Sequence, residues 1–144
     1  MNHLQKGKIV LSGNLIIDNG KILLLFREDH KHWETPGGKV KADESFNEEP
    51  TLEELEKVAR RELLEEVHGI DIVSMKYFGN VHFIVPDGRE AIANKFIVKV
   101  KGEPSIGEPE LFSKLEWLDI AILGDMSISL DLRIFLHKLK ILLN

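Results

Sequence analysis

Apolar positions along this chain follow two different rhythms. Residues 9–17 (IVLSGNLII) and 21–26 (KILLLF) are short β-rich runs separated by Asp18-Asn19-Gly20. Asn-Gly supplies the positive φ angles of a tight turn, so the pair predicts a hairpin. Residues 32–40 (HWETPGGKV) read as a Pro-Gly-Gly loop able to bring backbone close to another group. Residues 41–50 (KADESFNEEP) are polar and acidic, hence loop. A second hairpin is expected from YFGNVHFIV (77–85) and IANKFIVKV (92–100), turning at Pro86-Asp87-Gly88. KGEPSIGEPE (101–110) reads as a loop and LEWLD (115–119) as a short strand.

The second rhythm is helical. Thr51-Leu52-Glu53-Glu54 after Pro50 forms a capping box, which predicts a helix from there to about Val67 with Gly69 as its C-terminal stop. Ser129 to Leu143 reads as an amphipathic C-terminal helix, with Ser129 also suited to an N-cap. Strands, helix, strands, helix in that order predict an α/β or α+β fold: one domain, residues 1–144, with helices packed on a mixed sheet.

On a wheel of about 100° per residue, Leu55, Val58, Ala59, Leu52 and Leu63 mark the core-facing stripe of the first helix. Glu62 and Glu66 fall inside that stripe and Glu65 at its edge, whereas Glu53, Lys57, Arg60 and Leu64 point away. Carboxylates one turn apart on a buried side repel each other and lose hydration, so they stay ionised only with a positive partner. Arg60 and Arg61 offer one, as a structural ion-pair network. A divalent cation offers another: Mg²⁺ prefers hard oxygen ligands and leaves positions for water and phosphate.

Bulk properties narrow the field. The apolar fraction is 43%, the charged fraction 30% and the formal net charge −5. That balance argues against binding a nucleic-acid polymer, and suits a polyphosphate only if a cation mediates. No apolar run reaches the roughly 20 residues that cross a membrane, and the start lacks a signal-peptide layout. The absence of cysteine excludes disulfides and thiolate metal sites and fits a cytoplasmic protein.

Gly38, five residues, Glu44, and then Arg61-Glu62-Leu63-Leu64-Glu65-Glu66, followed by Gly69-Ile70, resemble the box of the Nudix hydrolases. Sixteen residues separate Glu44 from Arg61 where the family has seven, and Val67-His68 stand where it has one. Glu53 is the alternative to Glu44 on spacing, but it lies on the other side of the helix. Trp33-Glu34-Thr35-Pro36-Gly37-Gly38-Lys39-Val40 and Gly102–Glu108 are similar to stretches of the MutT-type nucleoside triphosphate pyrophosphohydrolases.

The resemblance implies an α/β/α sandwich and Mg²⁺- or Mn²⁺-dependent hydrolysis of a nucleoside diphosphate linked to another group. It implies metal ligation by Glu62, Glu65, Glu66, the Gly37 backbone carbonyl and Glu108, with Glu110 next in line. Glu62, or else Glu44, is the implied base, and Arg61 orients the glutamates. Arg27 and Lys39 are candidates for phosphate contact, and Asp125, Ser129 and Asp131 for reading a base edge. A (d)NTP cleaved to (d)NMP and pyrophosphate is the expected reaction. The alternatives are an ADP-ribose or other nucleoside diphosphate-sugar pyrophosphatase, and a non-catalytic nucleotide-sensing module. Monomer and homodimer both remain open, because Ile134, Phe135, Leu139 and Leu142 suit a core or an interface.

Overall fold

In the computed structural model, which describes residues 1–143, Lys8–Asp18 (β2) is the strand around which the sheet is organised. It follows a two-residue strand, Leu4–Gln5 (β1), and turns at Asn19-Gly20 into Lys21–Arg27 (β3). Both turn residues have positive φ, 51° and 74°. The expected hairpin is present but brief, since only Ile17↔Ile22 and Asp18↔Lys21 pair. From Ile16 back to Ile9, β2 instead pairs in parallel with Glu90–Ile106 (β7).

The remaining strands are His32–Glu34 (β4), Gly37–Lys39 (β5), Val67–Ile84 (β6) and Phe112–Asp119 (β8). The main path runs β4-β3-β2-β7-β6, with β1 and β5 on β2 and β8 on β3. One parallel pair among antiparallel ones makes the sheet mixed. The Leu52–Glu66 helix (α1) covers one face and the Leu130–Leu143 helix (α2) the other, giving the α/β/α sandwich. Strand period decides which residue meets which helix. Leu23 and Leu25 pack with Leu55, Val58, Ala59 and Leu63 on the α1 side. Ile22 and Leu24 pack with Leu132, Leu136 and Leu139 on the other. A strand buried on both faces reads as an unbroken apolar run, which is why Ile22–Leu25 lacks polar alternation.

Three expectations are corrected. HWETPGGKV is not a free loop: β4 and β5 bracket Thr35-Pro36, and β5 pairs with Leu11–Gly13. KGEPSIGEPE is half strand, because β7 continues to Ile106 as the partner of Val67–Ile72. Gly69 does not stop α1. The helix ends at Glu66, and Val67 is already extended at φ −127° and ψ 120°. Gly69 carries its positive φ of 82° inside β6, at a register shift where a Cβ would collide with the Glu103 carbonyl. The start of α1 does follow its box. Thr51 Oγ1 accepts from Glu54 N–H at 3.1 Å, and Glu54 Oε1 accepts from Thr51 N–H at 2.9 Å. Leu52, placed in the core stripe on the wheel, is exposed in this first turn.

Candidate active site

The last two turns of α1 face a cleft of about 960 Å³. Leu55, Val58, Ala59 and Leu63 seat the helix on the sheet, so residues on the same side further along are carried inward. Glu66 is therefore only 5% exposed. Its carboxylate accepts a hydrogen bond from Gly37 N–H at 2.8 Å, the one such bond it receives among the described residues. Burial pushes its pKa up to about 9, with the charges of Glu62, Glu34 and Glu108 adding to the effect against the Gly37 bond. Burial likewise raises Glu62 above the usual carboxylate range despite the adjacent Arg61 guanidinium. Glu65, at the edge of the stripe, is about half exposed.

Arg61 links these groups. Its Nη1 donates to Glu62 Oε1 at 3.0 Å and to Glu65 Oε1 at 3.3 Å. Its Nε and Nη2 donate to Glu44 Oε2 and Oε1 at 2.8 and 2.9 Å. Glu44 reaches this position from a 3₁₀ turn, Ala42–Glu44. Partial burial acts to raise the Glu44 carboxyl, but the Arg61 guanidinium and the Lys41 N–H together outweigh it and hold the pKa below the ordinary value. With both oxygens engaged and its pKa lowered, Glu44 is poorly placed to be a base, and it does not line the cleft. Glu53 is far more exposed and faces Lys57.

The glycine pair is used for close approach. A Cβ on Gly37 would stand 2.6 Å from Gly13 Cα and 2.8 Å from Ser12 O, and a Cβ on Gly38 would collide with the Glu62 carboxylate. Neither glycine adopts positive φ. They let β5 lie against β2 and beneath the glutamates. The Gly37 role visible in the geometry is that of its N–H.

Glu108 enters from the turn after β7, next to Gly107, whose N–H bonds Glu66 O at the end of α1, and it lines the cleft. Burial raises its pKa, with Glu65 and Glu110 contributing. Glu110 is exposed and lies outside the cleft lining. Arg27 and Lys39 line the cleft together with Lys41 and Arg89. Of the three residues expected to read a base, Ser129 and Asp131 line the cleft. Asp125 does not: it is exposed at the end of the 3₁₀ segment Ile120–Asp125, which corrects its assignment. Burial would raise Asp131, yet Lys95 holds it below its usual range.

Lys95, missing from the sequence-based candidates, is 4% exposed and lies on the cleft floor. Its Nζ donates to Thr35 Oγ1 at 2.6 Å and pairs with Asp131 Oδ2 at 2.8 Å. The signal for it was Asn94-Lys95 interrupting the apolar run Ala91–Val98, the largely buried half of β7. The donor set of Glu62, Glu65, Glu66 and Glu108 fits a hard divalent cation. Glu66 in particular is buried among like charges, where protein groups alone do not keep it ionised at neutral pH.

The sequence model of the NUDIX domain matches residues 10–139. No curated protein matches the chain. Solved structures do. The MutT NUDIX hydrolase of Burkholderia pseudomallei is 27% identical at a TM-score of 0.72, over 90% of this chain and 96% of that one. The ORF135 protein of E. coli is 25% identical at 0.74, over 96% and 94%. The MutT protein of Methanosarcina mazei Go1 is 26% identical at 0.71, over 94% of each. With the domain match spanning most of its length, and glutamates at 62, 65 and 66 turned into the cleft, the chain belongs to the Nudix family of hydrolases, among its MutT-like members.

Proposed function

We propose that the protein is a Mg²⁺-dependent nucleoside triphosphate pyrophosphohydrolase that converts a (d)NTP and water into a (d)NMP and pyrophosphate. The observation that carries this is the sign of charge inside one cleft: the mutually repelling carboxylates of partly buried Glu62 and buried Glu66, with Arg27, Lys39, Lys41 and Arg89 lining the same cleft. An acidic protein binds a polyphosphate this way when a cation lies between the carboxylates and the phosphates. Glu62, Glu65, Glu66 and Glu108 would hold Mg²⁺, or Mn²⁺, with the Gly37 carbonyl as a further donor. The ion supplies charge neutralisation on phosphate oxygens and acidifies the attacking water.

The rest is assigned to the chain's own groups. Glu62 Oε1 is held by Arg61, which leaves Oε2 to take the proton of the water that attacks phosphorus. Arg61, fixed by Glu44, keeps that carboxylate aimed. Arg27 and Lys39 receive the outer phosphates, and Ser129 and Asp131 contact the base. A second reading, hydrolysis of ADP-ribose or another nucleoside diphosphate-sugar, draws on Pro86 and Asp87, which line the same cleft.

The test is product analysis with Mg²⁺ across (d)NTPs, ADP-ribose and dinucleoside polyphosphates. Pyrophosphate released from (d)NTPs supports the proposal. Turnover of ADP-ribose alone replaces it with the second reading. Saturable binding without turnover of any substrate overturns both.

A further inference from the structure

At the mouth of the cleft, the β3–β4 hairpin carries His-Lys-His-Trp-Glu, residues 30–34. In β4 alternate residues share a face. Trp33 is 8% exposed in the α2-side core, its ring 5.2 Å edge-on from Phe26. That anchor commits His32 and Glu34 to the opposite, cleft-lining face. Lys31, with a left-handed φ of 53°, bends the chain so that His30 rejoins them. One donor atom from each of His30, His32 and Glu34 lies within 4.8 Å of the other two. His32 Nε2 is 2.9 Å from Glu34 Oε1, and the two imidazole rings meet edge to face at 5.2 Å.

We propose that His30, His32 and Glu34 form a second metal site, selective for a borderline divalent transition ion such as Zn²⁺. Two imidazole nitrogens and one carboxylate oxygen are the donor set such ions prefer, whereas Mg²⁺ prefers oxygen alone. Donors around a tetrahedral Zn²⁺ stand about 3.4 Å apart, given Zn–N bonds of about 2.05 Å. Reaching that spacing requires His32 and Glu34 to part slightly from 2.9 Å and His30, half exposed in the turn, to adjust its rotamer from within 4.8 Å. The fourth position opens to the cleft, as in sites that keep one place for water or a phosphate oxygen. Surrounding charges are mixed. Arg27 Nη1 lies 3.8 Å from Glu34 Oε2 and competes for that oxygen, while Asp29 Oδ2 lies 3.8 Å from His30 Nε2 and adds negative charge beside the imidazole. This site stands on the hairpin alone and does not require the hydrolytic reading.

The experiment is calorimetric titration of tag-free protein with Zn²⁺ in excess Mg²⁺, which occupies the carboxylates of α1. One equivalent of Zn²⁺ should bind to wild type and to Glu66→Gln. Binding should weaken at least about 10-fold in each of His30→Ala, His32→Ala and Glu34→Gln, the smallest loss seen even for outer partners of metal ligands. Equal Zn²⁺ binding by wild type and the double variant His30→Ala/His32→Ala overturns the proposal, as does uptake abolished by Glu66→Gln. Imidazole ¹⁵N spectra of wild type decide independently of any variant's folding. Zn²⁺ should shift the resonances of both His30 and His32, and unchanged resonances at a saturating ion concentration refute the site.

Discussion

Arg61 grips Glu44 with two parallel hydrogen bonds, 2.8 Å from Nε and 2.9 Å from Nη2, across seventeen positions of sequence. A planar fork against a carboxylate fixes direction as well as distance. The remaining donor of Arg61, Nη1, is thereby aimed at Glu62 and Glu65. Arg61→Lys and Glu44→Gln should each lower kcat by about 10- to 100-fold, the usual cost of losing an outer partner of a metal ligand. Lys should not rescue, because a point charge cannot reproduce the fork. Steady-state kinetics at saturating Mg²⁺ check this, and full activity of Glu44→Gln would remove Glu44 from the site.

Glu66 gives a pH dependence of stability whose sign is opposite to that of a typical ion-paired carboxylate. Its folded pKa is about 9 against a reference of 4.5, so between those values the folded state holds a proton that the unfolded state has released. Stability of the metal-free protein should therefore fall as pH rises from about 5 to 9. Thermal melts in chelator across that range should show the decline in wild type and a flatter profile in Glu66→Gln.

Glu54 has the opposite sign. Bonds from the Thr51 backbone N–H, then from Phe46 N–H and the Ser45 and Asn47 side chains, lower its pKa from 4.5 to about 2, against a smaller burial effect. Its contribution to stability is complete above pH 4.5 and is lost as pH falls through about 2. Glu54→Gln should melt lower than wild type at pH 6, with the gap closing towards pH 2.

Gly38→Ala tests the close approach of β5 to α1. The added methyl has ordinary φ but no room beside the Glu62 carboxylate. The variant should stay folded by circular dichroism while losing activity by at least about 100-fold, the loss expected when a catalytic group is displaced by about 1 Å. Wild-type turnover would show that Glu62 can move without consequence.

Lys95→Met should cost about 3 kcal/mol in urea denaturation, because it leaves Asp131 buried without its partner. Replacing both as Lys95→Met/Asp131→Leu should recover most of that loss.

What could be read from sequence was local. The facing of α1 followed from its 3.6-residue period and its capping box, so Glu62 and Glu66 were placed on the buried side from spacing alone. The Lys95–Asp131 pair joins a strand to a helix far along the chain, and no periodicity links the two residues. The parallel pairing of β2 with β7 is hidden for the same reason: two apolar runs look alike whether they form hairpins or meet distant partners. Gly69 misled because a left-handed glycine after a helical run is the signature of a helix end, and here the same conformation serves a strand irregularity. Asp125 was drawn from a segment whose 3₁₀ path turns it outward.

No loop residue intervenes between α1 and β6: Glu66 ends the helix and Val67 opens the strand. Rotation of the helix and register of the hairpin are consequently set by one peptide junction, tied further by Gly107 N–H to Glu66 O at 2.8 Å. One residue gained at this seam would swing the helix by about 100° or flip the faces of the strand unless a bulge absorbs it, and the register shift between His68 and Ile70 is such a place. The stretch before the helix is tied by side chains instead: residues 45–51 gather around Glu54, and Glu48 accepts from Lys6 N–H at 2.7 Å. Relative to the Nudix box, added length is thus accommodated on both sides of the glutamates in different ways: nine residues in the stretch leading to the cap, and one after Glu66, taken up where the strand register shifts between His68 and Ile70.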